Sequence, residues 1–276
     1  MHFFCTIAYF FVFLQRICMI MEDFFSRSEA LLGAEGMNRL RNMRVILFGV
    51  GGVGSWCAEA LIRTGLMHLT LVDGDVVQPS NINRQLPATR ETLGRPKVEV
   101  LRERLLTINP EAEIEAIHEM YNPSLICSTT VHWTLDRAKP FTRTREGISP
   151  LDFQLSTFDY VIDAIDDVPA KADLIINATR ARVKIFSSMG AALRFDPTKV
   201  TTGELMDIKG DALAKAVRAR MKKLGVKPYR KVKCVYSTEN SMSLPTSPEG
   251  KEKIKGSLMQ VTAVFGCTLA SMVINN

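Results

Sequence analysis

The stretch VILFGVGGVGSWCAEALIRTG, residues 45–65, and the segment HLTLVDGDVVQPSNINRQ, residues 68–85, decide the fold. An apolar run meets a glycine cluster and a helical pattern follows, which predicts a strand, a tight turn and a helix. Glycine in such a turn permits a sharp reversal, a close approach of the backbone to a phosphate, and tight packing of the helix on the strand. The cluster matches G-x-G-x-x-G and comprises Gly49, Gly51, Gly52 and Gly54.

A second strand is predicted at His68–Val72, and Asp73 follows it directly. The N–H groups exposed at the start of the helix favour an anion. Asp73 comes about 20 residues after the glycine cluster, where a Rossmann-type fold has a carboxylate that binds ribose. Together these features indicate a nucleotide site, whereas the glycine cluster alone would also suit a tight structural turn.

Six polar or charged residues follow Asp73. An NAD enzyme has little use for them, because hydride transfer needs a dry pocket. They are Asp75, Asn81, Asn83, Arg84, Gln85 and Lys97. Arginine and lysine there suit a triphosphate, whose charge must be neutralised before an acceptor attacks phosphorus. The alternative is that Arg84 and Lys97 are solvated surface charges.

Six motifs occur in a fixed order, namely GVGGVGSW, LVDGD, SNINRQ, GRPKVE, INPEAE and VIDAIDD. As an ordered set they resemble the ThiF/HesA superfamily of adenylating enzymes, which are related to ubiquitin-activating enzymes. Three further stretches look most similar to one subgroup, the tRNA threonylcarbamoyladenosine dehydratases: SRSEALLGAEGMNRLRNMRV, FSSMGAALRFDPTKV and VYSTE. The resemblance covers about residues 24–275 with one interruption.

The resemblance implies ATP and Mg²⁺ as cofactors and assigns roles to particular residues. The nucleotide-binding residues it implies are Gly49, Gly51, Gly52, Gly54, Asp73, Asn81, Arg84 and Lys97. The catalytic residues it implies are Asp166, which would also hold the metal, Arg84, Lys97 and Arg27. In the superfamily an arginine at the position of Arg27 commonly reaches the ATP of the partner subunit, which implies a homodimer. A surface arginine on a helix is the alternative.

The activity that the resemblance implies is dehydration of a modified adenosine beside the tRNA anticodon. A carboxylate is a poor electrophile, so ATP would convert it to an acyl-adenylate with release of pyrophosphate. A nitrogen of the same modification would then close a five-membered ring and expel AMP, a step that needs orientation more than a special base. A sulfur-transfer protein is a further partner that this reading implies.

Three other functions remain open from the sequence. The first is adenylation of the C-terminal glycine of a ubiquitin-like sulfur-carrier protein, although the C-x-x-C zinc ligands common in such enzymes are absent from the sequence. The second is a non-catalytic scaffold that binds a nucleotide. The third is an NAD dehydrogenase, which the charged residues after the second strand disfavour.

Alternating strands and helices predict an α/β fold, a Rossmann-like and mostly parallel sheet with helices on both faces. Further strands are predicted at 113–117, 159–165 and 184–188, and a sheet-extending strand at 195–200. Helices are predicted at 23–42 with breaks at Gly33 and Gly36, at 94–109, at 168–182, from a cap at Asp211 to Leu224, and at 257–274.

Three carboxylates lie at the carboxyl end of the predicted fourth strand, at the edge where α/β sheets bind ligands: Asp163, Asp166 and Asp167. Asp166 is the predicted Mg²⁺ ligand, because Mg²⁺ binds through one or two carboxylates plus substrate phosphates. Asp167 is expected to cap the next helix, and Asp163 to be structural.

The chain has 276 residues, a net charge of +6 and a pI near 9.0, which suggests an anionic partner.

Residues 1–22 form an apolar extension. Its unbroken apolar run, residues 3–14, is shorter than the ~18 residues expected of a helix that spans a membrane. The extension could be an amphiphilic membrane anchor, a helix docked on a partner, or sequence translated upstream of the functional start, and we favour the last interpretation. An adenylating Rossmann-like domain is predicted at 23–200, with an insert at about 127–157 that is either a surface loop or an RNA contact.

A smaller basic C-terminal region is predicted at 201–276, packing on the same core. Its lysines and arginines could bind a phosphate backbone or could form a solvated surface. They are Lys215, Arg218, Lys222, Arg230, Lys231, Lys233, Lys251, Lys253 and Lys255.

Six cysteines without a C-x-x-C pair suggest a reducing cytoplasm and no zinc knuckle. Cys234 lies in an alternating KCVYS segment, so we expect it to pack rather than react.

Overall fold

A computed structural model describes residues 24–121, 155–240 and 256–276. The predicted extension at 1–22, most of the predicted insert at 127–157, and the lysines at 251, 253 and 255 lie outside these ranges. Within them, no helix is both long and apolar enough to cross a membrane. The predicted domain boundary at residue 200 stays a prediction.

Helices and strands alternate through most of the described chain. The helices are α1 (Ser26–Asn42), α2 (Gly54–Thr64), α3 (Lys97–Ile108), α4 (Val168–Arg180), α5 (Ala212–Lys223) and α6 (Met259–Ile274). The strands are β1 (Arg44–Phe48), β2 (His68–Val72), β3 (Glu113–Ile117), β4 (Tyr160–Asp163), β5 (Lys184–Ser188), β6 (Val200–Glu204) and β7 (Lys233–Ser237).

The strands form one sheet of seven in the order β3-β2-β1-β4-β5-β7-β6, in which only β6 runs antiparallel to its neighbour. β1 lies between β2 and β4, with Leu47 paired to Leu71 on one side and to Ile162 on the other. The chain order therefore reverses at β1, and ligands of open α/β sheets bind outside the carboxyl ends of the strands at such a point. The predicted fold class is confirmed.

Helices cover both faces of the sheet. On one face α2 packs against β1, α3 packs against β2 and β3, and α6 packs against α2 and against β5, β6 and β7. Leu61, Leu101 and Phe265 are fully buried in this layer. On the other face α4 and α5 pack together, with Ile175 and Val217 at the centre of a second cluster. The two apolar layers hold the carboxyl edge of the sheet rigidly around the glycine turn.

Two predicted elements are wrong in detail. The segment 195–200 is not a strand, because Asp196 caps a 3₁₀ turn at Pro197–Lys199 by accepting from the N–H of Thr198, and the strand begins only at Val200. In α1 the chain departs from helical geometry at Gly33, whose φ is 68°, but not at Gly36. A single glycine in left-handed conformation is enough to kink the helix.

The predicted fourth strand is shorter than expected, since β4 ends at Asp163. The cause is local: Asp163 Oδ1 accepts a hydrogen bond from the N–H of Ile165 at 3.1 Å. A short side chain that binds the backbone two residues on turns the chain out of the sheet. The turn carries Asp166 and Asp167 to the carboxyl edge.

Candidate active site

The turn between β1 and α2 needs glycine at two positions for steric reasons. Gly49 has a φ of 86°, and a Cβ on it would lie 2.7 Å from the carbonyl oxygen of Ala164. A Cβ on Gly54 would lie 1.8 Å from the carbonyl oxygen of Gly49. These two glycines close the turn and dock α2 on the sheet, as the sequence predicts.

The other two glycines of the turn face a more open space. A Cβ on Gly51 would meet Gln85 Nε2 at 3.7 Å, and one on Gly52 would meet Arg84 Cγ at 3.3 Å. α2 begins at Gly54 without a side-chain cap. The N–H of Ser55 donates to Gly51 O, whereas the N–H groups of Gly52, Val53 and Gly54 have no partner among the described residues and are available to an anion.

Gln85 gives independent support for a ligand at this turn. Its Oε1 is buried without a hydrogen-bond partner among the described residues, although the residue is only 8% exposed. An unpaired buried acceptor is costly unless another molecule supplies a donor. The glycine turn, the uncapped helix and Gln85 therefore fit a bound nucleotide. The sequence places Gln85 among the polar residues after Asp73 but assigns it no role, and only its burial against Gly51 indicates one.

Asp73 is fixed against the turn by backbone hydrogen bonds. Its Oδ2 accepts from the N–H of Val50 at 2.7 Å and its Oδ1 from the N–H of Asp75 at 2.8 Å. Burial raises the pKa of Asp73 above its ordinary value, although these bonds and the charge of Lys97 oppose that rise. Each carboxylate oxygen keeps a further lone pair, so Asp73 can also accept from ribose hydroxyls.

Lys97 begins α3 and is held close to Asp73. Its Nζ lies 2.7 Å from Asp75 Oδ2, and its side chain is only 6% exposed. Its backbone N–H also donates to the carbonyl oxygen of Asp75. Lys97 is therefore an anchored, desolvated cation rather than a solvated surface charge.

Arg84 lies over Gly52 and is tied into the 79–85 loop. Its Nη1 donates to Ser80 O and Asn83 Oδ1, each at 2.9 Å, while its carbonyl oxygen accepts from Trp56 Nε1. The loop itself is organised by Asn81, which is 8% exposed and accepts from the N–H of Gln78.

The three carboxylates at the end of β4 and in the loop after it have separate environments. Asp163 is fully buried, with Oδ2 2.7 Å from Lys171 Nζ and 2.6 Å from Ser187 Oγ. Asp167 caps α4 by accepting from the N–H of Ala170 at 2.9 Å. Both structural expectations are confirmed. Asp166 is exposed and makes no hydrogen bond or ion pair with another described residue.

Asp166 shares the edge of the sheet with the glycine turn. A Cβ on Gly49 would lie 3.2 Å from the N–H nitrogen of Ile165, the residue directly before Asp166. The turn is thus bordered by Asp73 and Lys97 on one side, Arg84 above, and the Asp166 loop on the other. No group of three or more metal-binding side chains occurs in the described ranges, but Mg²⁺ needs only one or two carboxylates beside phosphates.

Arg27 is the one predicted site residue that lies elsewhere. It is two residues from Phe25, which packs within 3.5 Å of the Cβ position of Gly65, the residue after α2. α2 has 11 residues and is therefore ~16 Å long, and the glycine turn lies at its other end. Arg39 Nη2 donates to Ile274 O at the end of α6, which sets α1 on the amino edge of the sheet.

Cys234 has the setting of a packing residue. It is fully buried in β7, and burial raises its pKa well above the ordinary thiol value, with Lys171 opposing that rise. A buried neutral thiol is inert as a nucleophile.

Comparison with known proteins identifies the family of the chain. The ThiF family profile matches residues 25–275. The chain is 37% identical over 216 residues to tRNA threonylcarbamoyladenosine dehydratase of Bacillus subtilis, covering 78% of this chain and 75% of the relative. It is 33% identical over 267 residues to the dehydratase of Haemophilus influenzae, covering 92% and 93%.

Solved structures give the same match. The Escherichia coli tRNA N6-threonylcarbamoyladenosine dehydratase in complex with AMP superposes with a TM-score of 0.75 at 32% identity, covering 91% of this chain and 92% of that chain. The same enzyme in complex with ATP gives a TM-score of 0.73 at 31% identity. By contrast, similarity to the molybdopterin-synthase adenylyltransferase of E. coli is 32% over 162 residues, or 59% of this chain and 54% of the relative.

Proposed function

The chain belongs to the ThiF family, and we propose from this membership and from its cleft that it cyclises N6-threonylcarbamoyladenosine in tRNA with consumption of ATP. The observation that supports this proposal most is the surroundings of the glycine turn before the uncapped helix α2. The anchored Lys97, Arg84 and the unpaired Asp166 border this turn. That set suits a nucleoside triphosphate. The dehydratases that resemble the chain over most of its length supply the acceptor class.

ATP is the nucleotide of this reaction. Its phosphates would lie on the N–H groups at the start of α2, and its ribose hydroxyls would donate to Asp73, which the N–H of Val50 already orients. The threonine carboxylate of the modified adenosine attacks the α-phosphorus, forming an acyl-adenylate as the bond to pyrophosphate breaks. Arg84 and Lys97 would stabilise the charge on the departing pyrophosphate.

Ring closure follows within the same modified base. A nitrogen of the modification attacks the activated carbonyl carbon, the bond from that carbon to the AMP oxygen breaks, and the nitrogen loses its proton. Because both groups belong to one molecule, correct orientation supplies most of the acceleration. The chain therefore needs no nucleophile, in agreement with the buried Cys234.

Asp166 would hold Mg²⁺, which would neutralise phosphate charge when bound. Its exposed carboxylate, without a described partner, fits that role, whereas Asp163 and Asp167 are occupied by Lys171 and by the cap of α4.

A homodimer in the cytoplasm is part of the proposal. Arg27 is remote from the turn of its own chain, and Leu31, one helical turn later, is 89% exposed. Residues four apart share a helix face, so this face offers an arginine beside an apolar contact to a second subunit. A sulfur-transfer protein as partner stays a prediction.

The alternative is adenylation of a sulfur-carrier protein. The relatives that do this match only 59% of the chain, and the sequence has no C-x-x-C pair. The decisive measurement is ATP–pyrophosphate exchange with tRNA that carries the threonylcarbamoyl group, with the same tRNA lacking that group, and with a sulfur-carrier protein. We expect exchange with the first only. Exchange with the carrier alone would establish the alternative.

A paired substitution separates an enzyme from a nucleotide-binding scaffold. Asp166→Ala should lower exchange by at least ~100-fold, about 2.7 kcal/mol of barrier, while ATP still binds. Asp167→Ala is the matched control, which should keep exchange but lose ~1 kcal/mol of stability through its lost cap. Undiminished exchange in Asp166→Ala would reject the assigned role.

A further inference from the structure

A groove lies at the amino edge of the sheet, away from the cleft that holds the glycine turn. It has a volume of about 360 Å³ and is bordered by Lys227, Tyr229, Arg230 and Lys231 on one side and by Glu204 and Met206 on the other. We call it the Tyr229 groove. Its basic residues belong to the connection between α5 and β7, and the proposed reaction uses none of them.

Tyr229 has the setting of a stacking platform. The residue is 63% exposed although its side chain is a large aromatic ring. The guanidinium of Arg180, at the end of α4, lies 5.6 Å from the ring centroid, and the N–H of Tyr229 donates to Thr179 Oγ1 at 3.2 Å. The ring is thus held in position by its backbone and by a cation, while most of its surface stays open.

The charges around the ring have one dominant sign. Lys227, Arg230 and Lys231 are exposed, and Arg230 is oriented by a 3.0 Å hydrogen bond from its Nη1 to Arg182 O. The end of α5 adds the exposed Lys222 and Lys223. Glu204 is the single acidic residue that lines the groove. Exposed cations beside an open aromatic ring suit a chain of phosphates with unstacked bases.

We propose that the Tyr229 groove binds an unpaired segment of the tRNA substrate, with a base stacked on Tyr229 and phosphates against Lys227, Arg230 and Lys231. The inference rests on the proposed function for the identity of the RNA. β5 has 5 residues, about 17 Å at ~3.3 Å per residue, so the groove lies at least that far from the carboxyl edge. It therefore contributes affinity and register for the tRNA and takes no part in the chemistry.

An acidic protein is the competing occupant, because it would also seek the cations. The exposed ring favours RNA, since stacking against a base uses the open aromatic face that an acidic protein surface does not require. The prediction is therefore specific: affinity must depend on the aromatic ring as well as on the charge.

The test measures tRNA affinity over a range of salt concentrations and the kinetics of cyclisation. Tyr229→Ala should weaken binding about 5- to 100-fold, whereas Tyr229→Phe should keep it. The double variant Arg230→Ala/Lys231→Ala should reduce the slope of log affinity against log salt by about 1 to 2. In all of these, KM for tRNA should rise while kcat at saturating tRNA stays unchanged.

The matched control is Arg41→Ala/Arg102→Ala, which removes two exposed cations far from β7. Unaltered tRNA affinity in the groove variants, or an equal loss in the control, would overturn the proposal. Loss of affinity for a sulfur-transfer protein with intact tRNA binding would assign the groove to a protein and also overturn it. If the unmodified chain neither binds nor cyclises tRNA, the proposed function fails instead, so the two failures are distinguishable.

Discussion

Single residues in the glycine turn differ in what they contribute, because their surroundings differ. A Cβ on Gly54 would overlap a backbone oxygen at 1.8 Å, whereas one on Gly51 would meet only an amide side chain at 3.7 Å. Gly54→Ala should therefore destabilise the protein by about 1–3 kcal/mol or more, since the backbone must shift. Gly51→Ala should leave stability within ~1 kcal/mol yet weaken ATP binding at least about tenfold, or ~1.4 kcal/mol.

Urea denaturation and calorimetric titration with ATP would measure the two effects. Gly94→Ala is a useful control, because its φ is 79° and no atom lies within 4 Å of its Cβ position. It should reduce stability by about 1 kcal/mol through backbone strain alone and leave ATP affinity unchanged. Normal ATP affinity in Gly51→Ala would mean that the phosphates lie away from this turn.

Residue roles could be read from the sequence where the partner is close along the chain. Asp167 was predictable as a helix cap because the N–H group that donates to it is only three residues away, at Ala170. The pair of Asp163 with Lys171 and Ser187 was not, since Ser187 comes from the neighbouring strand. The orphaned Oε1 of Gln85 likewise exists only after folding has buried it against the turn.

At the scale of elements, one buried carboxylate ties α2 to α3. Glu59 on α2 is 7% exposed, and its oxygens accept from Arg104 on α3 and from Arg63 on its own helix. Burial alone would raise the pKa of Glu59, but these two arginines outweigh it and lower the pKa below its ordinary value. A lowered carboxyl pKa stabilises the fold at pH values above the pKa of the unfolded chain, and this stabilisation disappears as the pH falls through the folded-state pKa.

Glu59→Gln should therefore cost about 1.5–3 kcal/mol at pH 7, and its deficit should shrink as the pH falls below the ordinary carboxyl pKa of about 4.3. Urea denaturation at pH 7 and at lower pH would measure this. Glu103→Gln provides a comparison, because Glu103 and its partner Arg95 are both largely exposed. That change should cost less than ~1 kcal/mol. A deficit for Glu59→Gln that does not change with pH would argue against the charge pairing.

Elements were predictable where the local pattern and the fold agree. The strands at 113–117 and 184–188 have the predicted bounds, because apolar residues are bounded there by turn residues. The strand predicted at 195–200 is wrong because an Asp-Pro turn separates Phe195 from Val200. Phe195 donates its N–H to Glu239 instead of pairing with a neighbouring strand. That contact spans 44 residues and has no local signal.

For the whole molecule, one chain does not bring together every residue that the proposed reaction requires. The Asp166 loop borders the glycine turn at the carboxyl edge, while α1 with Arg27 lies on the amino edge with Arg39 bonded to the end of α6. The first half of α1 carries the exposed Leu31 just before the kink at Gly33. Two copies could exchange this segment so that each arginine serves the other's cleft.

Subunit mixing tests this arrangement. Arg27→Ala and Asp166→Ala should each abolish most of the tRNA cyclisation activity as pure proteins. A mixed dimer of the two variants contains one cleft with both residues intact if Arg27 acts across the interface. Co-expression should then restore about a quarter of the normal activity for random pairing, since half of the dimers would be mixed with one working cleft each. If Arg27 serves its own chain, every cleft in every dimer lacks one of the two residues, and co-expression should restore nothing. Arg41→Ala mixed with Asp166→Ala controls for the dilution, because its own homodimers should remain active.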